Sequence, residues 1–219
     1  MRAGLFLDLD GTLCDSVDTL RQVYFDFLAG FGVEGSVEEF ERFNGPPLAA
    51  LVAELRLRHA LPGGADALLR RYLAMVDAAY STVTPSSGAA DLLRTARDRR
   101  IPVAVVTSNV SRLARRWLGK VGLEGMIDVV VGGDDVAEGK PSPEPYLTAL
   151  DRTGCDASAS LAVEDSATGA RSAVAAGIPT LLLAGASPGL AGVVVIDRLD
   201  RVGEILIARL SAVEDPHRP

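Results

Sequence analysis

Asp8 and Asp10 stand two residues apart, directly after the apolar run Leu5-Phe6-Leu7 and directly before Gly11-Thr12. The run reads as a strand and the glycine as the turn that ends it, so both carboxylates fall at a strand's carboxyl end. Two acids converging there can hold a divalent cation through oxygen ligands. One of them can also act as a nucleophile while the other moves a proton. The plainer reading is a solvated loop with two acids. The full string Asp8-Leu9-Asp10-Gly11-Thr12-Leu13 after an apolar run argues against it.

Three more segments carry chemistry in the same position. Thr107-Ser108-Asn109 follows Val103-Ala104-Val105-Val106. Hydroxyls, an amide and free backbone N–H groups suit an anion, although the same residue types also make ordinary helix N-caps. Gly139-Lys140-Pro141 comes after Val129-Val130-Val131, and Lys140 is one of two lysines among 22 cationic residues. Its compact ammonium suits a phosphoryl oxygen beside an acid cluster, whereas Lys120 reads as a solvated helix-end charge. Glu164-Asp165-Ser166 follows Leu161-Ala162-Val163. These acids could complete a cation site, or begin a helix whose dipole favours them. Asp134 and Asp135 read as a polar turn.

The elements that must position these groups alternate. Six short apolar runs, the four above plus Thr180–Leu183 and Val193–Ile196, show no in-out alternation, which suits strands buried on both faces of a parallel sheet. Helical spacing lies between them, in Leu92, Leu93 and Ala96, in Leu113, Trp117, Leu118 and Val121, and in Tyr146, Leu147 and Leu150. The βαβα rhythm predicts an α/β fold with a doubly wound parallel sheet. One interval breaks it. From Asp15 to Thr84 there is no strand, only three amphipathic helices around Leu20–Leu28, Leu48–Leu55 and Leu68–Val76, separated by Gly/Pro turns. That is too long for a crossover, so residues 15–84 are expected to form a helical cap over a core made of residues 1–14 and 85–219.

Composition narrows the classes. The chain has 219 residues and a net charge of −7, which disfavours nucleic acid or an anionic membrane as partner. No apolar run is long enough to span a bilayer, and the early Asp8 does not suit a signal peptide. A cytoplasmic location is expected, as a monomer or homodimer. Cys14 and Cys155 are too few for a disulfide framework and read as small buried hydrophobes. His217 lies in a polar tail.

Together the four segments resemble the four motifs of haloacid dehalogenase (HAD)-like hydrolases. The helical insert resembles the subclass that includes phosphoglycolate phosphatase and β-phosphoglucomutase. The resemblance implies a Rossmann-like core with an inserted α-helical cap and a Mg²⁺-dependent phosphatase. Its substrate would be a small phosphorylated metabolite. It also implies roles. Asp8 would be the nucleophile, forming an aspartyl-phosphate, and Asp10 the proton donor and later base. Thr107, Ser108, Asn109 and Lys140 would hold phosphate. Mg²⁺ would lie among Asp8, Glu164, Asp165 and the backbone carbonyl of Asp10.

The branches of the family differ at single residues. Asp10 argues against dehalogenases, which lack a second acid, and the absence of any cap lysine argues against phosphonoacetaldehyde hydrolases. Mutases place a histidine where this chain has Leu20, and an arginine after a cap glycine where this chain has Gly45-Pro46-Pro47-Leu48. Arg42 and Asn44 could read a substrate anion, while a surface or packing role is expected for His59. The competing readings are a mutase or other phosphotransferase, a pyrophosphatase of the same fold, and a phospholigand-binding protein without turnover.

Overall fold

A computed structural model describes residues 1–42, 46–183 and 189–214, with side chains to residue 208. Asn44, Gly45 and His217 lie outside the described residues. The core strands are β1 (Leu5–Leu7), β2 (Val103–Val106), β3 (Val129–Val131), β4 (Leu161–Glu164), β5 (Thr180–Leu183) and β6 (Val193–Ile196). They form one sheet in the order β3-β2-β1-β4-β5-β6, every neighbouring pair parallel.

Chain order runs outward from the middle in both directions, so the sheet's switch point lies between β1 and β4. In open α/β sheets a ligand crevice forms beyond the carboxyl ends of the strands at that point. Asp8 follows β1 and Glu164 ends β4, which brings residues 156 apart in sequence to one spot.

Successive strand residues face opposite sides of the sheet. Leu5, Leu7, Val103, Val105, Leu161 and Val163 join the hydrophobic cluster of one face. Phe6, Ala104, Val106 and Ala162 join that of the other. Both faces are covered, which is why these runs are uniformly apolar. The edge strand β6 departs from the expectation: Ile196 is buried, Val193 and Val195 are half-buried, and Val194 is exposed.

Helices α5 (Ala89–Asp98), α6 (Ser111–Lys120), α7 (Glu144–Thr153), α8 (Ala167–Ala175) and α9 (Arg201–Glu214) flank the sheet. In α7 the buried face is Pro145, Tyr146, Ala149, Leu150 and Thr153, while Leu147 is exposed. Grouping Leu147 with the core face rotated that helix by one residue. Nor does α6 begin at Thr107–Asn109. It begins two residues later, where the carboxylate of Asp134 accepts from the Ser111 N–H at 2.6 Å.

Between β1 and α5 lie α1 (Val17–Ala29), α2 (Val37–Arg42), α3 (Leu48–Arg58) and α4 (Ala65–Ala79). The ring of Phe27 from α1 meets Tyr72 from α4 edge-on at 5.1 Å. The short α2 is tied by its buried Glu39. That carboxylate accepts from the Tyr24 hydroxyl and from His59, and it pairs with Arg58. His59 thus holds two helices together.

The chain leaves and re-enters the core side by side. Asp15 N–H donates to Thr84 O at 3.0 Å and Ser86 N–H to Leu13 O at 2.9 Å, with Cys14 bridged to Pro85 between them. Across this junction Arg116 of α6 pairs with Asp77 of α4 at 2.6 Å, and the Trp117 indole donates to Val83 O at 3.1 Å.

Leu7 is fully buried directly beneath Asp8. Leu7→Ala should cost about 2–5 kcal/mol in denaturant melts, as large-to-small core changes do. Val194→Ala on the exposed edge should stay within about 0.5 kcal/mol. Equal losses at the two sites would contradict this placement of the core.

Candidate active site

The site is built around the ammonium of Lys140, which is almost fully buried. The loop after β3 delivers it, through a cis Lys140–Pro141 bond. Its three N–H bonds have three acceptors: Asp8 Oδ1 at 2.7 Å, Glu164 Oε1 at 2.5 Å and Val106 O at 2.9 Å. Burial alone would lower its pKa, but the adjacent carboxylates of Asp8 and Glu164 outweigh that and hold it above the ordinary lysine value.

Asp8 extends the sheet, its N–H donating to Val163 O at 2.9 Å, so the backbone that carries its carboxylate is part of the ladder. Glu164 is wholly buried beneath Lys140, and the Tyr146 hydroxyl donates to its Oε1 at 2.5 Å. Its other oxygen, Oε2, has no hydrogen-bond partner. It lies against Gly169, where an added Cβ would fall 1.9 Å from it. Asp165 crowds Gly11 in the same way: the glycine's φ is +82°, and a Cβ there would meet Asp165 Oδ2 at 2.1 Å. Both glycines let carboxylates approach the backbone more closely than any side chain would allow.

Asp8, Glu164 and Asp165 each offer an oxygen within 4.8 Å of the others. Three acids face one lysine in a desolvated spot, and proton uptake is the consequence. Burial, then the neighbouring Asp8 charge, pushes Asp165 up to about 8. Burial pushes Glu164 up to about 7 against the pull of Lys140. A divalent cation would relieve the same excess of negative charge, and oxygen ligands suit it.

Asp10 sits at the rim. Its Oδ1 accepts from the Ser16 hydroxyl at 2.6 Å and from the Tyr80 hydroxyl at 2.5 Å. Burial and the Asp8 charge raise its pKa, and those hydrogen bonds oppose the rise. Its side chain is not part of the three-acid group. Cys14 lies beneath it and is buried, as expected.

Thr107, Ser108 and Asn109 line the same cleft as Asp8, Asp10, Lys140 and Asp165. The Asn109 side chain is held on both sides. Its Oδ1 accepts from the Val110 N–H at 2.8 Å and its Nδ2 donates to the Tyr80 oxygen at 2.7 Å. Its side chain therefore serves Tyr80 and does not present a free anion ligand. The helix α8 is capped by Ser166, which accepts from Gly169 N–H at 3.0 Å; the two acids before it are left to the cleft and to Lys140.

Opposite, the cap side of the cleft is Leu20, Phe40, Pro46, Leu48, Leu51 and Tyr72. Arg42 ends α2 exposed and does not line the cleft. Tyr80, Ser16 and Tyr146 escaped the sequence reading. Single hydroxyls carry no spacing signal, and Tyr146 was legible only as part of an apolar helix face.

The profile of haloacid dehalogenase-like hydrolases matches residues 5–183, from β1 to β5 and across all four motifs. The chain belongs to this family. Among HAD-like relatives, the fructose-1-phosphate phosphatase YqaB of Escherichia coli is 30% identical over 179 residues, 80% of this chain and 93% of that protein. A phosphoglycolate phosphatase of Rhodospirillum rubrum is 34% identical over 195 residues, 84% of this chain and 80% of that one. The crystal structure of CbbY from Rhodobacter sphaeroides in complex with phosphate superposes with a TM-score of 0.81 at 26% identity, covering 93% of this chain and 97% of the other. This chain is thus a HAD-like hydrolase, and relatives named as phosphatases support a phosphatase. No helix among its described residues is long and apolar enough to cross a membrane.

The acid cluster gives a pH dependence with a definite sign. Glu164 at about 7 and Asp165 at about 8 hold protons that the unfolded chain, with ordinary carboxyls near 4, has released. Between about pH 4 and 8 the native state therefore binds more protons, and stability falls as pH rises. The melting temperature of the metal-free protein should drop from pH 5 to pH 8, and a divalent cation should shrink that drop. A metal-free curve that rises over this range would show that these carboxyls are not under strain.

Proposed function

We propose that this chain is a Mg²⁺-dependent phosphatase that hydrolyses a small phosphate monoester through an aspartyl-phosphate on Asp8. The observation that carries the reading is the convergence, at the switch point of the sheet, of Asp8, Asp10, Lys140 and Asp165 on one cleft. The donor set fits the cation: three carboxylates share a spot with a single lysine, and the buried Oε2 of Glu164 has no partner. Asp8 and Asp165, with Glu164 behind them, would hold Mg²⁺. When bound, it supplies positive charge that offsets the repulsion between the Asp8 carboxylate and the phosphoryl oxygens.

The chain's own groups do the rest. An Asp8 oxygen attacks phosphorus, the bond from phosphorus to the leaving oxygen breaks, and the carboxyl proton of Asp10 goes to that oxygen. In the second half Asp10 takes a proton from water as the water oxygen attacks phosphorus, and the Asp8 carboxylate is released. Lys140 holds the Asp8 carboxylate in place through its 2.7 Å contact with Oδ1 and opposes its protonation. The Thr107 hydroxyl, at the cleft, is a neutral donor for the phosphoryl oxygens. Positioning and charge account for most of the rate in such transfers.

Cap residues set what else is bound. The described cap side chains at the cleft are uncharged, and Leu20 stands where a mutase would carry histidine, which favours hydrolysis over transfer. Charge recognition is then concentrated on the phosphoryl group, and the organic part is held by contact. Fructose 1-phosphate and phosphoglycolate, taken from the names of relatives, head the substrate panel.

Phosphate release from that panel, with and without Mg²⁺, tests the reading. Asp8→Asn should abolish release while the protein still folds, and Asp10→Asn should slow it about 10²–10⁴-fold, the usual worth of a positioned proton donor. EDTA should stop turnover and Mg²⁺ restore it. Full activity in Asp8→Ala, or turnover indifferent to EDTA, would overturn the mechanism.

A further inference from the structure

Tyr80, the residue that ends α4, is buried, yet its hydroxyl reaches the candidate site. It contacts two groups there: it donates to Asp10 Oδ1 at 2.5 Å and accepts from Asn109 Nδ2 at 2.7 Å. The directions of these bonds are forced. Asn109 Oδ1 is taken by the Val110 N–H at 2.8 Å, so the amide presents its NH₂ group to Tyr80. With its oxygen accepting from that group, Tyr80 turns its one hydrogen to Asp10. The Ser16 hydroxyl also donates to the same Asp10 oxygen, at 2.6 Å. Two O–H donors aimed at Oδ1 leave no place for a proton on it.

We infer that Tyr80, oriented by Asn109, is a positioning residue for the acid: it fixes Asp10 in one rotamer with Oδ1 as acceptor, so that Oδ2 alone carries the transferable proton toward the cleft. The inference rests on the proposed phosphatase reading and adds a residue to it. The proton balance is unchanged. Asp10 Oδ2 gives its proton to the leaving oxygen as the bond to phosphorus breaks, and it regains one from the attacking water. Tyr80 keeps its own proton throughout.

A leaving-group test separates positioning from general damage. An alkoxide leaving from glycerol phosphate needs Asp10's proton; p-nitrophenolate leaves without it. The ratio kcat/KM covers only the steps up to departure of that group. In Tyr80→Phe, kcat/KM for glycerol phosphate should fall about 10- to 100-fold, a part of the full worth of general-acid catalysis. For p-nitrophenyl phosphate it should fall less than about 3-fold, since that group gains little from the proton. An equal fall on both substrates, or none on either, would overturn the inference.

If Tyr80→Phe does not fold, Asn109→Asp serves in its place. Its carboxylate would draw the Tyr80 hydrogen away from Asp10, and the same skewed ratio is expected. An unskewed ratio there overturns the inference equally. Failure of the underlying reading would show earlier, as a wild-type protein that releases no phosphate or an Asp8→Ala variant that still does.

Discussion

A lysine ammonium almost sealed from water needs its charge balanced and its three hydrogens received. Here Asp8, Glu164 and the carbonyl of Val106 do both. The rest of the site depends on that arrangement. It joins the loop after β3 to the ends of β1, β2 and β4, so the elements of the switch point are tied together by one cation. It opposes the rise in the Asp8 pKa that burial causes. It also holds Glu164 in place. Tyr146 and Lys140 occupy one of its oxygens while the other lies against Gly169. Removing Lys140 would leave buried carboxylates without their cation, so this node supports the fold as well as the chemistry.

Much of this was legible in the sequence because parallel strands under two layers of helices must be short and wholly apolar. Each such run ends in a turn, and the residues there are the ones the crevice can use. Reading the residues after Leu7, Val106, Val131 and Val163 therefore found Asp8, Thr107, Lys140 and Asp165 directly. The helical insert was legible from its length and period. What escaped had no pattern to show. The helix α2 is only six residues long, and α8, rich in Ala, Gly and Ser, has almost no apolar stripe. Leu147 has the right spacing to join the core face of α7, yet the helix is turned so that Ala149 and Thr153 are buried and Leu147 is not. Asp134 looked like a plain turn residue, but it caps α6, and only folding shows which helix start lies above a given loop.

The division of labour across the cleft has a simple physical basis. On the core side, groups are charged, buried and held by several bonds each, as suits the one part common to every phosphate ester. On the cap side the described side chains are mostly aliphatic or aromatic, and they are held by packing among α1, α3 and α4. Directional bonds fix the chemistry and non-directional contact selects the rest of the substrate.

Ser16 precedes α1 and Tyr80 follows α4, so the two hydroxyl donors to Asp10 lie on the two crossings between cap and core. Among the described residues, the stretch between them contributes walls of the cleft but no hydrogen bond to the acid. Over evolutionary time the interior of the cap is therefore free to be rebuilt, residue by residue, while the hold on Asp10 stays the same. A lineage could change its diet of phosphate esters without relearning how to cleave them.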